Sequence, residues 1–254
     1  MPGVPADNAP PTAVVTGASS GIGAATARAL DAAGFAVVVT ARRADRLEAL
    51  AAELGPDTRA IACDVTDPAS VAALAEAVPA CAVLVANAGG ALGLDPVLEL
   101  DEDGWRTMWE TNVLGLVRTV RAFFGHLEAS GNGRIAAVTS IAGHETYPGG
   151  GGYTSAKHAA AAAVDTLRVE TLGTGVRVIE IAPGAVETEF SVVRFGGDEQ
   201  RAEQVYAGIE PLVADDVAEA IVWAVTRPPH VTISRMDILA GRQGSTRDFA
   251  RVEA

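Results

Sequence analysis

The chain has 254 residues, of which 49% are hydrophobic and 20% charged, the balance of a soluble globular protein with a full-sized core. A net charge of −13 disfavours nucleic acid and anionic membranes as partners, because both need clustered Lys and Arg. Residues 1–10 lack the basic and apolar regions of a secretory signal, so we expect a flexible tail before a single domain over residues 11–254. Cys63 and Cys81 have no metal-ligand spacing, which favours buried thiols and a reducing cytoplasm.

Short apolar runs alternate with helical patterns along the chain. The predicted strands are 13–16, 36–40, 60–63, 81–85, 134–140, 176–181 and 236–239. The predicted helices are 22–33, 44–54, 68–77, 105–129, 153–172 and 215–226. The runs are apolar at both alternating positions, as in strands buried on both faces. This pattern predicts an α/β fold: a doubly wound, Rossmann-like parallel sheet of about seven strands with helices on both faces.

A glycine-rich loop follows the first predicted strand and opens the first helix. Such a loop lets the backbone approach a pyrophosphate, and the helix N-terminus offers free N–H groups and partial positive charge. The residues concerned are Gly17, Ser19, Ser20, Gly21, Ile22 and Gly23. The loop therefore predicts a phosphate-binding site at the carboxyl edge of the sheet, where ligands of open α/β sheets bind.

The order of several motifs is more specific than any one of them. The glycine loop has the spacing G-xxx-G-x-G, and after it come Asn87-Ala88-Gly89, Thr111-Asn112-Val113, Ser140, Tyr153, Lys157, Pro183-Gly184 and Thr188. Across residues 12–240 this series resembles the signature of the short-chain dehydrogenases/reductases. The resemblance implies hydride transfer between a nicotinamide cofactor and a carbonyl or alcohol, in a homo-oligomer that is a tetramer or a dimer.

The second strand indicates which nicotinamide cofactor binds. An NAD site would place Asp or Glu at its tip, whereas this run ends with Arg42 and Arg43. Guanidinium groups can grip a 2′-phosphate, which predicts NADP(H); the alternative is a solvated arginine pair. By resemblance, the remaining cofactor contacts are Asp64, Val65, Asn87, Ala88, Gly89, Pro183, Gly184, Val186 and Thr188. Asp64 is equally suited to a turn, and Asn87 to supporting the strands.

A phenol and an ammonium are spaced for proton transfer. Tyr153 and Lys157 stand at i and i+4, on one face of a helix, where positive charge favours the phenolate. We expect Lys157 and an oxidised nicotinamide to bring the pKa of Tyr153 toward the working pH. By resemblance, Ser140 holds the substrate carbonyl and Asn112 anchors a water that links Lys157 to solvent.

The stretch from residue 187 to 198 resembles a subgroup, the NADP-dependent serine 3-dehydrogenases and 3-hydroxy acid dehydrogenases. Arg194 is the candidate partner of a substrate carboxylate; the alternative is an ion pair with Glu187, Glu189 or Asp198. His144 either contacts substrate or is a solvated loop residue. The glycine run 149–152 departs from the subgroup. A broad-specificity or secondary-metabolite ketone/aldehyde reductase is therefore the alternative function. Neither the four histidines nor any other pattern suggests a metal site.

Overall fold

The computed structural model describes residues 9–251, and these form one seven-stranded parallel sheet in the order β3-β2-β1-β4-β5-β6-β7. The strands are β1 Thr12–Thr16, β2 Ala36–Ala41, β3 Arg59–Ala62, β4 Val83–Ala86, β5 Arg134–Val138, β6 Arg177–Pro183 and β7 Arg235–Ile238. The predicted doubly wound sheet of about seven strands is confirmed. Residues 1–8 of the predicted tail lie outside the described residues.

One helix follows each of β1, β2, β3 and β5, two follow β4, and three follow β6. The helices are α1 Gly21–Ala32, α2 Ala44–Glu53, α3 Pro68–Ala77, α4 Glu102–Trp109, α5 Gly115–Ala129, α6 Gly151–Glu170, α7 Glu189–Arg194, α8 Glu199–Tyr206 and α9 Ala214–Val225. Helix α3 begins as its sequence predicts, because Asp67 accepts a hydrogen bond from the Ala69 N–H and Pro68 needs no partner at the first helical position. Within residues 9–251, no helix is both long and apolar enough to cross a membrane.

Two apolar layers cover the two faces of the sheet. Val15 and Val39 pack on one face with α1, α2 and α9, while Val14 and Val38 pack on the other with α3, α5 and α6. Consecutive strand residues point to opposite faces, so strands buried on both sides read as unbroken apolar runs.

The site is placed by the reversal of strand order at β1. This strand pairs with β2 on one side and with β4 on the other, so the connections that follow β1 and β4 diverge. A crevice opens at such a point, beyond the carboxyl ends of the strands.

Two parts of the fold differ from the predicted elements. The long helix begins at Glu102, where Asp101 caps it, and a π-helical turn, Glu110–Leu114, separates α4 from α5. Helices α7 and α8 were not predicted; each spans no more than eight residues, too short to show a clear periodic pattern. They form what we call the α7–α8 segment, residues 189–206.

Candidate active site

One cleft of about 750 Å³ opens at the carboxyl edge of the sheet. Most of the predicted site residues line it: Gly17, Ser19, Ser20, Gly21, Ile22, Arg42, Arg43, Asp64, Val65, Asn87, Ala88, Gly89, Ser140, Tyr153, Lys157, Pro183, Gly184, Val186, Thr188 and Arg194. Gly23, Asn112 and His144 are not among the lining residues. Within residues 9–251 no three His, Cys, Asp or Glu side chains are grouped to hold a metal ion.

The glycine loop is built for close approach of its own backbone. Gly17 has φ +67°, and a Cβ there would lie 2.9 Å from Asn87 Nδ2. A Cβ on Gly23 would lie 2.4 Å from the Gly17 carbonyl oxygen, so Gly23 supports the loop from beneath. Ser20 precedes α1 without capping it through its side chain, so the N–H groups of the first turn are not taken by that hydroxyl. A phosphate fits this cradle.

Asn87 supports the strands that carry the loop. Its Nδ2 donates to the Thr16 carbonyl at 2.9 Å, and its backbone N–H donates to Thr16 Oγ1 at 3.0 Å. Asp64 likewise shapes a turn, because its Oδ1 accepts from both the N–H and the hydroxyl of Thr66. These hydrogen bonds, the backbone one foremost, lower the pKa of Asp64 despite opposing desolvation, and the charge of Arg42 adds to the effect. Both residues therefore have the structural role that the sequence left open, while also lining the cleft.

Arg43 is held beside the glycine loop. Its guanidinium donates to Ser19 Oγ at 2.9 Å and to Ser20 Oγ at 2.8 Å, whereas Arg42 is exposed. Arg43 also pairs with Glu189 at 3.1 Å, and Arg46 pairs with the other oxygen of Glu189 at 2.6 Å. We call Arg43, Arg46 and Glu189 the clasp, since it ties the α7–α8 segment to the start of α2.

Tyr153 and Lys157 lie on neighbouring turns of α6, buried in the cleft wall. Lys157 Nζ is 5.7 Å from the centre of the Tyr153 ring and donates to the Val138 carbonyl at 3.2 Å. Burial lowers the pKa of Lys157 to about 8, opposed by the negative charge of Glu180. Burial, with Tyr147 nearby, raises the pKa of Tyr153, while the Ser140 hydroxyl and Arg194 act the other way. Burial therefore outweighs the charge of Arg194, whereas the expectation for Tyr153 beside an oxidised nicotinamide stays a prediction.

Ser140 sits where β5 leaves the sheet. Its Oγ lies 3.3 Å from the Pro183 carbonyl as a donor and accepts from the Ala142 N–H at 3.1 Å. The Ser140 hydroxyl also opposes the rise in the pKa of Tyr153 that burial causes. Ser140, Tyr153 and Lys157 all line the same cleft.

Asn112 lies in the π-helical turn, behind the loop that follows β4. Its Nδ2 donates to the carbonyls of Gly90 and Met108, each at 2.8 Å, and its Oδ1 accepts from the Gly90 N–H at 3.2 Å. A Cβ on Gly89 would lie 2.7 Å from Asn112 Oδ1 and 3.4 Å from Lys157 Nζ. Asn112 is thus a close neighbour of Lys157, with its side chain committed to the loop.

Arg194 projects from the end of α7 toward Tyr153. Its Nε donates to the Gly93 carbonyl at 2.9 Å, its Nη1 donates to the Tyr147 hydroxyl at 3.0 Å, and its guanidinium carbon is 5.6 Å from the centre of each tyrosine ring. Its buried Nη2 has no hydrogen-bond partner among residues 9–251. No ion pair of that part of the chain involves Arg194, so the predicted alternative of a pair with Glu187, Glu189 or Asp198 is not formed.

The glycine run 149–152 makes room for aromatic side chains around Tyr153. A Cβ on Gly150 would lie 2.3 Å from the Tyr147 ring, and a Cβ on Gly152 would lie 2.3 Å from Met108 Cε. Tyr147, which holds Arg194, was not singled out from the sequence, although it lies on the rim that follows Ser140. The run therefore lets α6 begin directly against Tyr147 and α4.

The loop after β6 is fixed from both sides. Thr188 caps α7 and packs against the glycine loop, since a Cβ on Gly21 would lie 3.3 Å from its side chain. Gln243 accepts a hydrogen bond from the Ala185 N–H at 2.9 Å and lies against Gly184. Gln243 was missed because no local spacing connects it to a residue some sixty positions earlier.

His144 is not a cleft residue, and it is not a freely solvated one. Its Nε2 lies 2.8 Å from Glu180 Oε1, and its Nδ1 lies 3.3 Å from Arg235. The proposed substrate contact is therefore corrected: the ring faces the sheet because a buried carboxylate attracts it.

Known proteins share the fold and much of the sequence of this chain. The family described as short chain dehydrogenase matches residues 11–196. An uncharacterized oxidoreductase of Mycobacterium tuberculosis is 59% identical over 233 residues, covering 92% of each chain. The NADP-dependent 3-hydroxy acid dehydrogenase of Schizosaccharomyces pombe is 41% identical, covering 96% of this chain and 97% of that protein. The closed form of a serine dehydrogenase complexed with NADP+ superposes with a TM-score of 0.89 at 35% identity, covering 96% of this chain and 98% of that one.

Proposed function

This chain belongs to the short-chain dehydrogenase family, and on that premise we propose that it interconverts a carbonyl and an alcohol on a small acid, using NADP(H). The substrate class is a 3-hydroxy acid, a 3-hydroxy amino acid or a semialdehyde. One observation carries the substrate class: the Arg194 guanidinium, half-buried beside Tyr153, keeps a buried Nη2 free of hydrogen bonds within residues 9–251. A buried donor without a partner is costly, and a carboxylate would satisfy it.

NADP(H) is supported by the charge at the tip of β2. A carboxylate there would repel a 2′-phosphate, whereas Arg43 stands there beside the two serines of the glycine loop, with Arg42 next to it. NADP also appears in the names of the similar 3-hydroxy acid dehydrogenase and serine dehydrogenase. When bound, the nicotinamide supplies or accepts the hydride.

The chain's own residues supply the proton and the orientation. Ser140 donates a hydrogen bond to the carbonyl oxygen and holds it beside the Tyr153 hydroxyl. Because burial raises the pKa of Tyr153, the phenol keeps its proton until an alkoxide forms, and it then gives that proton up. In the oxidising direction the phenolate takes the proton from the alcohol.

Lys157 and Asn112 act behind the phenol. The ammonium of Lys157 stabilises the phenolate electrostatically while its Nζ stays bonded to the Val138 carbonyl. Asn112 fixes the loop against which Lys157 packs. The water-anchoring role that the family resemblance implies for Asn112 belongs to the same proposal.

Matched substrate pairs test this function. Succinic semialdehyde is compared with butanal and 3-hydroxypropionate with 1-propanol, alongside serine, 3-hydroxyisobutyrate and malonic semialdehyde, each followed by NADPH and NADH absorbance. We expect kcat/KM for the acid to exceed that of its uncharged partner by about tenfold or more, as a charge-assisted hydrogen bond of ~1.5–3 kcal/mol implies.

Two outcomes would contradict parts of the proposal. Turnover confined to uncharged carbonyls would establish the alternative, a broad-specificity or secondary-metabolite ketone/aldehyde reductase. A kcat/KM ratio of NADPH to NADH near or below unity would remove the cofactor assignment.

A further inference from the structure

One carboxylate side chain of the sheet is completely buried. Glu180, in β6, is 0% exposed. Its Oε1 accepts a hydrogen bond from Thr139 Oγ1 at 2.6 Å and lies 2.8 Å from His144 Nε2, while its Oε2 has no partner within residues 9–251. Burying a carboxylate costs free energy unless it is paired and hydrogen-bonded. The mechanism described above gives Glu180 no role.

The contacts of His144 define its protonation. Arg235 Nη1 lies 3.3 Å from His144 Nδ1, and a guanidinium can only donate, so Nδ1 accepts. The proton of the neutral ring is then on Nε2, which donates to Glu180. Arg235 is held in turn by Asp237 at 2.9 Å. His144 thus provides Glu180 with a hydrogen bond.

Lys157 and Glu180 are held by two consecutive residues at the end of β5. Lys157 Nζ donates to the carbonyl of Val138, and Thr139, the next residue of the chain, holds the Glu180 carboxylate. Glu180 is also the group whose charge favours the ammonium against the cost of burial. Lys157 faces Tyr153 on its own helix; farther along α6, Asp165 and Arg168 pair with each other, and Arg168 donates to the Val178 carbonyl.

We propose that Glu180 is a positioning residue whose negative charge favours the ammonium of Lys157, and that Thr139 and His144 hold its carboxylate in place. Through Lys157, Glu180 sets the pH range in which Tyr153 transfers its proton. This inference rests on the proposed function only in assigning proton transfer to Tyr153 and Lys157.

Removing the negative charge has a definite sign. In Glu180→Gln the ammonium of Lys157 becomes less favourable, so the ionisation of Lys157 moves to lower pH. When Lys157 loses its charge, the phenolate of Tyr153 loses the ammonium that stabilises it, so the ionisation of Tyr153 moves to higher pH. A purely structural role for Glu180 would lower stability or turnover and would move neither ionisation.

A direct titration is feasible because Lys157 is the only lysine in the chain. Protein labelled with carbon-13 lysine gives a single lysine side-chain signal, which is followed by NMR against pH in the cofactor-free protein. We expect a midpoint near 8 for the wild type and a midpoint lower by about one pH unit or more for Glu180→Gln.

Other variants separate charge from packing. Glu53→Gln removes an exposed carboxylate paired with Arg28 and should leave the midpoint unchanged. His144→Gln, which keeps an N–H donor, should stay near the wild type, whereas His144→Phe should move the midpoint as Glu180→Gln does. If Glu180→Gln does not fold, His144→Phe carries the comparison. The proposal would be overturned if Glu180→Gln, or His144→Phe in its place, had the same midpoint as the control Glu53→Gln.

The pH dependence of kcat gives a second readout. The limb of the Glu180→Gln profile that reports Lys157 should move to lower pH, with KM for NADPH unchanged. An absence of turnover with every substrate of the panel would contradict the proposed function, while the NMR midpoints would still decide the role of Glu180.

Discussion

At the cofactor end of the cleft, two adjacent arginines have different surroundings. Arg43 is fixed by Ser19 and Ser20, whereas Arg42 is exposed, so the pre-organised guanidinium should contribute more to binding a 2′-phosphate. We predict that Arg43→Ala raises KM for NADPH about 10- to 100-fold and changes KM for NADH little. Arg42→Ala is the matched comparison, and an equal or larger effect there would contradict the assignment to Arg43.

At the substrate end, Arg194 should distinguish acids from uncharged carbonyls. Arg194→Met removes the unpartnered Nη2 and retains much of the side-chain volume. We predict a loss of about tenfold or more in kcat/KM for acid substrates and little change for butanal. Arg227→Met, just beyond the end of α9, serves as the control. A loss shared equally by acids and uncharged aldehydes would mean that Arg194 only supports Tyr153 and Tyr147.

In the proposed mechanism, Tyr153 donates a proton to the forming alkoxide. Tyr153→Phe keeps the ring that packs against Phe190 at 5.6 Å and removes only the hydroxyl. We predict a fall in kcat of about 100- to 10,000-fold with the fold and NADPH affinity retained, since general acid–base catalysis contributes this much. Thermal denaturation checks that the fold is retained, and NADPH fluorescence checks the affinity for NADPH. Near-normal kcat would exclude the phenol as the proton donor.

Among the elements, the start of α6 depends on glycine for packing rather than for flexibility. A Cβ at Gly152 would meet Met108 Cε at 2.3 Å and the Trp105 ring at 3.0 Å. We predict that Gly152→Ala lowers the free energy of unfolding by about 1–3 kcal/mol, as overpacking does, and lowers kcat because Tyr153 is the next residue.

Gly125 in α5 provides the control for Gly152. It is exposed, and a Cβ there would meet nothing within 4 Å. Gly125→Ala should therefore stabilise the helix by about 0.5–1 kcal/mol. Thermal denaturation of both variants compares the predicted loss of stability in Gly152→Ala with the predicted gain in Gly125→Ala. A stabilising Gly152→Ala would refute the packing interpretation.

The elements also show how far sequence patterns extend. Strands buried on both faces are recognisable because their apolar runs are unbroken, and α3 because Asp67 and Pro68 mark its first turn. The π-helical turn has no such signal, since the chain reads as one continuous helix across it. Helices α7 and α8 are too short for a periodic pattern, and a hydrogen bond between Ser191 and Tyr206 joins them.

The site residues also differ in how far the sequence predicts them. Tyr153 and Lys157 are predictable because one helix spaces them, and the glycine loop because it joins a strand to a helix. Tyr147, Glu180 and Gln243 depend on contacts between distant segments, which no local pattern encodes. His144 was misplaced for this reason: its partner, Glu180, lies in a strand that otherwise reads as apolar.

For the whole molecule, charge is distributed unevenly. The chain has a net charge of −13, yet its cleft is lined by Arg42, Arg43, Arg194, Arg247 and Arg251. An acidic exterior around a cationic cleft concentrates field lines at the entrance, which favours anionic cofactor and substrate.

Self-association remains a prediction at this scale. Trp109, Leu114 and Val117 lie in α4, the π-helical turn and α5, and each of these large apolar residues is more than 40% exposed. We predict a tetramer or dimer by light scattering, and a lower mass for Val117→Glu. The control is Val193→Glu, an exposed position on α7. A monomeric wild type would contradict the prediction.

The clasp has a consequence for how quickly the cofactor comes and goes. Glu189 already occupies Arg43, so a 2′-phosphate held by Arg43 competes with it for one guanidinium, and Arg46 remains to hold Glu189. Cofactor entry is then an exchange of anions rather than the filling of an unpaired cation. Exposed ion pairs weaken as the Debye length shortens, so added salt should speed this exchange while weakening the bound state. The rate of cofactor release, and with it turnover limited by release, becomes a property of ionic strength.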